Sequence, residues 1–196
     1  MIPDHSEGQT PVDEDEMEGL RIKTITTQAE LNDFEQLNID QAAIWVMKNH
    51  FTPGKIMTES FVKKVHSKMF SKVWRWAGKF RTTDKSLGVD KFEISQELRK
   101  LLDDTHYWIE NKIFSGDEIA IRFKHRLVSI HCFNNGNGRH SRLMADILIK
   151  DVFNLPVYSW GHEQLIKPGE ARYTYLKAIK AADKGDYIPL IAFARS

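Results

Sequence analysis

The sequence predicts a mainly α-helical domain that carries one small β-hairpin flap. Three observations predict it. Apolar residues recur at helical spacing along most of the chain, helix-start and helix-stop signals bracket those stretches, and one segment, Val73 to Ile94, loses the helical period and reads as extended.

Taken in order, residues 1–20 read as an acidic N-terminal extension, with Asp13, Glu14, Asp15, Glu16 and Glu18 close together, and residues 21–196 as the domain proper. The extension is expected either to be solvated or to dock as an arm on a basic surface of its own domain. Thr27 and Glu30 have capping-box spacing and open a helix that carries Leu31, Phe34, Ile39, Ala42, Ala43 and Val46. Phe51-Thr52-Pro53-Gly54 breaks the chain, and a second helix follows from about Thr58 to Phe70 with Phe61, Val62, Val65 and Met69 inward. From Val73 the pattern changes. Trp74, Trp76 and Phe80, the turn Lys85-Ser86-Leu87-Gly88, and then Val89, Phe92 and Ile94 predict the hairpin.

A third helix is predicted from about Gln96 to Asn111, carrying Leu98, Leu101, Leu102, Tyr107, Trp108 and Ile109. Ser115 opens a fourth with Ile119, Ala120, Phe123, Leu127 and Ile130 inward. The stretch Asn134 to Gly138 stops it, and another helix starts near Arg139 and runs to about Phe153. A further helix from about Gly169 to Asp183 and a short one after Pro189 complete a helical bundle.

Composition narrows the function class. A formal net charge of +1 points to no global field for nucleic acid or a membrane surface, and no basic recognition helix stands out. No stretch approaches the roughly 20 apolar residues of a membrane span. The N-terminus lacks the features of a signal peptide, and Cys132 is the single cysteine, so no intramolecular disulfide can form. A cytoplasmic protein is expected.

The chemistry concentrates in His131 to Arg142, which reads HCFNNGNGRHSR. Asn135-Gly136-Asn137-Gly138-Arg139 leads directly into a helix N-terminus, where free N–H groups and the helix dipole favour an anion. Two glycines let the backbone curl as a nest, and Arg139 and Arg142 share a helical face at that end. Two guanidinium groups beside such a nest suit phosphate groups. His131, at the end of the preceding helix, is placed to act as a general base on an attacking hydroxyl. Each residue alone has an ordinary structural explanation, and Asn-Gly is a common turn pair. The combination at fixed offsets is what points to nucleotide phosphates.

The segment HCFNNGNGRHSR resembles the Fic family signature HPFx(D/E)GNGRxxR. The resemblance extends through VWRWAGKFRTTD and the tail GEARYTYLKAIKAADKGDYIPLIAF, and over its length the chain is similar to the bacterial subfamily called mobile mystery protein B. The resemblance implies a Fic-type helical bundle and an enzyme that moves AMP from ATP to a hydroxyl side chain of a target protein, or of itself. It implies His131 and Arg139 as catalytic residues and Asn135, Gly136, Asn137, Gly138, Arg139 and Arg142 as the nucleotide site. Phe133 would anchor the loop, and Tyr175 would lie near the base or ribose. Thr82, Thr83, Asp84 and Val89 would belong to a flap that registers the target by strand addition.

Two positions depart from the signature. Cys132 replaces the usual proline, which bears on packing, and Asn135 replaces the acid that usually ligates Mg²⁺. Asn135 keeps a carbonyl oxygen without the charge, so a Mg²⁺ or Mn²⁺ requirement is expected to be weakened or carried through the phosphates. Many family members are inhibited by a helix whose glutamate pairs with the second arginine, here Arg142. Glu30 is the nearest match and Glu35 the alternative, and inhibition by a helix-turn-helix antitoxin-like partner is the other route. The alternatives to AMP transfer are a related transferase using UMP, phosphocholine or phosphate, or a member that binds nucleotide without catalysis. Retained Gly138, where kinase-like members carry lysine, favours nucleotidyl transfer.

Overall fold

The computed structural model describes residues 14–161 and 168–196. Asp13, with the rest of the extension before it, lies outside the described residues. The described chain is mainly helical: α1 (Glu14–Met17), α2 (Gln28–Met47), α3 (Pro53–Ile56), α4 (Glu59–Phe70), α5 (Ile94–Glu110), α6 (Gly116–Ile130), α7 (Asn137–Asp151), α8 (Pro168–Ala182) and α9 (Ile188–Arg195).

Local chemistry accounts for most of these boundaries. The Thr27 hydroxyl accepts from the Glu30 N–H while the Glu30 carboxylate accepts from the Thr27 N–H, so α2 opens on a complete capping box. Thr58 and Ser115 cap α4 and α6 through their side-chain oxygens. Pro53 sits in the first turn of the short α3, and Pro189 in that of α9, where a missing N–H costs nothing.

The antiparallel pair α6 and α7 forms the centre, with α4 and α5 against it, α2 against α4, and α8 with α9 closing the other side. Phe70, Trp74, Phe123, Phe133, Met144 and Leu148 are fully buried in one continuous core. Phe34 and Tyr107, read from the sequence as inward, are 40% and 58% exposed. Each lies on a flank of its helix, where periodicity alone does not tell core from solvent. No helix among the described residues is long and apolar enough to cross a membrane.

The predicted hairpin is not formed. Residues 73–94 hold no strand pair, and the single bridge among the described residues joins Leu20 to Trp74. The reason is a side chain. Arg81 is buried between the two arms, donating from Nη1 to the Thr83 carbonyl at 3.0 Å and from Nη2 to the Val89 carbonyl, so a guanidinium takes the place of a backbone ladder. The two arms pair with the end of α6 instead of with each other, through Arg81 N–H to the Cys132 carbonyl and Val89 N–H to the Ile130 carbonyl.

The described part of the N-terminal extension packs on the body. Arg21 N–H donates to the Val73 carbonyl and Arg75 N–H to the Gly19 carbonyl. Glu16 is buried and forms an ion pair of 2.8 Å with Lys85 of the flap.

Candidate active site

The loop between α6 and α7 is built around His131. This residue caps α6 in the left-handed conformation, with φ 55° and ψ 57°. That is an uncommon conformation for a side-chain-bearing residue and turns the imidazole away from the helix axis. Its carbonyl accepts from Arg81 Nε at 2.7 Å, which ties the turn to the flap. Gly88 of the flap lies over it so closely that a Cβ there would come within 2.7 Å of His131 Cβ. Nε2 of His131 is buried and has no hydrogen-bond partner among the described residues. Burial, then the charges of Arg81 and Lys85, lower its pKa to about 4, so the ring is neutral at physiological pH. A neutral imidazole with an unengaged nitrogen is what a general base requires.

The loop beyond His131 is shaped from within. Phe133 is fully buried and stacks on His66 with ring centroids 3.7 Å apart. His66 Nδ1 accepts from Gly78 N–H at 3.0 Å, which leaves Nε2 to donate to the Asn135 carbonyl at 3.0 Å. His140, one turn into α7, faces the Val62 carbonyl at 3.0 Å. Burial lowers the pKa of both rings, that of His140 to about 4, so they act as neutral struts. The Asn137 side chain clasps the Phe133 backbone, Oδ1 accepting from its N–H at 3.0 Å and Nδ2 donating to its carbonyl at 2.8 Å. Its side-chain oxygen therefore faces the loop's own backbone rather than a bound phosphate. Cys132 is buried, and burial pushes its thiol up to about 12, which keeps it protonated and unreactive.

Gly136 opens α7 with φ 77°, and a Cβ there would meet the Phe70 ring at 2.5 Å. Gly136→Ala is expected to lower stability by about 2–4 kcal/mol, combining left-handed strain with overpacking. Gly138→Ala, whose added Cβ meets nothing within 4 Å, should leave the denaturant midpoint nearly unchanged. Equal loss from both substitutions would contradict this account of the loop.

The N–H groups of Asn137, Gly138 and Arg139 open α7 ahead of its intrahelical hydrogen bonds, and a Cβ added at Gly138 would meet nothing within 4 Å. Arg139 and Arg142 follow three residues apart on the same helix. Arg139 Nη1 forms an ion pair of 2.6 Å with Glu35 Oε2, and its guanidinium lies over the Phe70 ring. Glu35 is buried on the inner face of α2, where Oε1 also accepts from Trp74 Nε1 at 2.6 Å. Glu30, the nearer match by sequence, is exposed and held in the N-cap by the Thr26 and Thr27 N–H groups. Those hydrogen bonds, with the Thr26 backbone contact first, lower its pKa. The structure thus brings Glu35 and not Glu30 to the loop, and brings it to the first arginine rather than to Arg142. Helix geometry explains the difference: Glu30 lies in the first turn, whereas Glu35 shares the core face with Leu31, Asn38 and Ala42.

Arg142 lies over the Tyr175 ring at 5.6 Å, and the Tyr175 hydroxyl is 2.5 Å from Lys124 Nζ. Tyr175 is therefore at the second arginine. In the flap, Asp84 accepts from the Lys91 N–H at 3.0 Å, the contact that does most to lower its pKa. Thr82 and Thr83 are exposed, and Val89 packs partly against the core. Asn135 Oδ1 accepts from the Gly136 N–H at 2.6 Å, and the loop carries no carboxylate. A neutral oxygen already engaged is a poor ligand for a hard divalent cation, so these residues do not fit a protein-held Mg²⁺.

Three residues of the site were not singled out in the sequence: His66, Arg81 and Lys124. His66 and Lys124 had a usable signal, since each occupies an inward position of a helix, beside Val62 and Met69 or between Ala120 and Leu127. Arg81 had none, because its segment has no period.

The family model for the Fic/DOC family matches residues 56–149, which include the whole loop. A protein adenylyltransferase Fic of Aedes aegypti is 24% identical over 163 residues, covering 81% of this chain and 31% of that protein. Protein adenylyltransferase fic-1 of Caenorhabditis briggsae is 31% identical over 122 residues, covering 60% of this chain and 22% of that protein. The chain thus spans about a third or less of these relatives. Among solved structures, the Bartonella tribocorum BepC protein with bound AMPPNP superposes with a TM-score of 0.67 at 17% identity, covering 93% of this chain and 97% of that one. Caenorhabditis elegans Fic-1 superposes with a TM-score of 0.63 at 20% identity, covering 82% of this chain and 46% of that one. The shared fold and the matched loop together make this chain a member of the Fic/DOC family.

Proposed function

We propose that the protein is an adenylyltransferase that moves AMP from ATP to a hydroxyl side chain of a target protein or of itself. The observation that carries this reading is the buried, unengaged Nε2 of neutral His131 beside the open N-terminus of α7 and its two arginines. His131 Nε2 takes the proton of the acceptor hydroxyl, and that oxygen forms a bond to the α-phosphorus. The bond to the bridging oxygen breaks, and pyrophosphate leaves with the electron pair. The first-turn N–H groups of α7, Arg139 and Arg142 hold the charge on the phosphates. The similarity to adenylyltransferases and to a Fic-fold protein with bound AMPPNP supports ATP as donor. A divalent ion, if used, is carried by the nucleotide.

The test uses ATP labelled in the base or in the terminal phosphate, with the wild type and with His131→Ala. Base label on wild-type protein alone supports AMP transfer. Terminal-phosphate label on protein assigns phosphorylation instead, and nucleotide binding without labelling assigns a non-catalytic role.

Two further parts of the reading concern control. The flap around Thr82 to Asp90 registers the target segment. Glu35 restrains activity by occupying Arg139, and a helix-turn-helix partner acting in trans is the alternative restraint. Glu35→Gln keeps the acceptor for Trp74 and removes the ion pair. It is expected to raise self-modification about tenfold, the equivalent of roughly 1.4 kcal/mol of competition for Arg139. Unchanged labelling with an unchanged thermal midpoint would remove Glu35 from the mechanism.

A further inference from the structure

Lys124 is fully buried on α6, in the part of the molecule that underlies Arg142. Among the described residues its Nζ has one hydrogen-bond partner, the Tyr175 hydroxyl at 2.5 Å, and it lies 4.7 Å from the centre of the same ring. Arg142 covers that ring at 5.6 Å, and its Nε is buried without a partner among the described residues. Two basic side chains therefore share one tyrosine, and neither has an ion-pair partner among the described residues.

Among the described residues, the nearby acids are engaged elsewhere. Asp146, one turn beyond Arg142 on α7, accepts from Tyr158 N–H and Trp160 Nε1. Asp183 on α8 pairs with His125 on α6 itself. The α5 face that packs on α6 is lined by Leu98, Leu101, Leu102 and Thr105, none of which titrates. A buried cation without a counter-charge is costly, and the molecule avoids the cost by losing the proton. Burial, then the charge of Arg142, brings the Lys124 pKa down to about 7.

We propose that Lys124 is a specificity residue for the phosphates beyond the α-phosphate, acting through Tyr175 and Arg142 and taking up a proton when they bind. The inference rests on the reading of the loop as a nucleotide site. An anion at Arg142 supplies the missing counter-charge and restores the ammonium form of Lys124. In that form Lys124 donates to the Tyr175 oxygen, and the tyrosine's own hydrogen is free to donate towards the ligand. The sign follows from linkage. With a free-state pKa near 7 and a higher bound-state pKa, affinity falls as pH rises above about 7.

The experiment is calorimetric titration of the full chain with ATP, ADP and AMP at pH 7 and 8.5, in two buffers of different ionisation enthalpy. ATP affinity is expected to fall about tenfold across that interval, with close to one proton taken up per ATP near the upper end. AMP affinity should stay flat. Lys124→Met, of similar length and without charge, should melt no lower than wild type, lose the pH dependence and lose about tenfold of the ATP-over-AMP preference at pH 7. Wild-type ATP binding that is independent of pH with no proton uptake overturns the inference and leaves the nucleotide site standing. A Lys124→Met variant that keeps the pH slope does the same. Failure of all three nucleotides to bind overturns both.

Discussion

His131→Ala is expected to lower AMP transfer by about 10²- to 10⁴-fold while leaving nucleotide affinity and the thermal midpoint close to wild type. The separation follows from the structure. The imidazole Nε2 makes no hydrogen bond among the described residues, so removing it breaks no polar contact of the fold. The phosphates are assigned to the α7 N-terminus, Arg139 and Arg142, which the substitution does not touch. The pH profile supplies a second check. A base with its pKa lowered to about 4 stays unprotonated far below the usual histidine range. The acid limb of kcat/KM should therefore lie near pH 4 and not near pH 6.5, with activity flat from about pH 5 to pH 7. An acid limb near pH 6.5 that vanishes with the substitution would show that the imidazole is more hydrated than the structure places it. Loss of nucleotide binding in His131→Ala would assign the residue to the fold of the loop instead of to proton transfer.

Arg81→Leu is expected to cost about 3–5 kcal/mol of stability, a fall of roughly 6–20 °C in the thermal midpoint for a domain of this size. The Arg81 side chain is completely buried and satisfies the carbonyls of His131, Thr83 and Val89, with Asp84 at 3.5 Å from Nη1. Leucine leaves those acceptors in a dry interior, where each lost partner costs about 1–3 kcal/mol, partly recovered as the flap loosens into solvent. Arg81→Lys should rescue little, because a single ammonium cannot span three carbonyls that a planar guanidinium reaches at once. Transfer to a protein target should fall further than nucleotide binding, since Arg81 positions the flap and the left-handed turn at His131 and does not face the phosphates. A variant with native stability would show that the flap is held by its contacts with the end of α6 alone.

Local chemistry explains why most of the helices were legible. Thr27 with Glu30, Thr58 and Ser115 announce helix starts that the structure uses as such, and every residue of the inward set of α6 read from its period is buried, together with Ile121, Lys124 and His125, which the period did not single out. The turn between α6 and α7 was legible for the same reason, since Gly136, Gly138 and the arginines lie within a few residues of one another. The hairpin was not, because its sequence pattern of aromatic and β-branched residues around a turn does not reveal that a buried arginine fills the space where a ladder would form. Glu30 was favoured over Glu35 because motif spacing is counted along the chain, whereas the helix turns Glu30 to solvent and Glu35 to the core.

By itself the sequence determined that the protein is a helical bundle and gathered its candidate residues in the turn from His131 to Arg142. Only the tertiary structure decided which charges meet that turn. Glu35 reaches Arg139 across 104 residues, Tyr175 meets Lys124 across 51, and Arg81 holds the His131 carbonyl across 50. The physical reason is that periodicity and capping report on neighbours within a turn or two of helix. The partner of a buried charge is chosen by how helices pack, and the cost of leaving that charge alone in a dry interior makes the choice count.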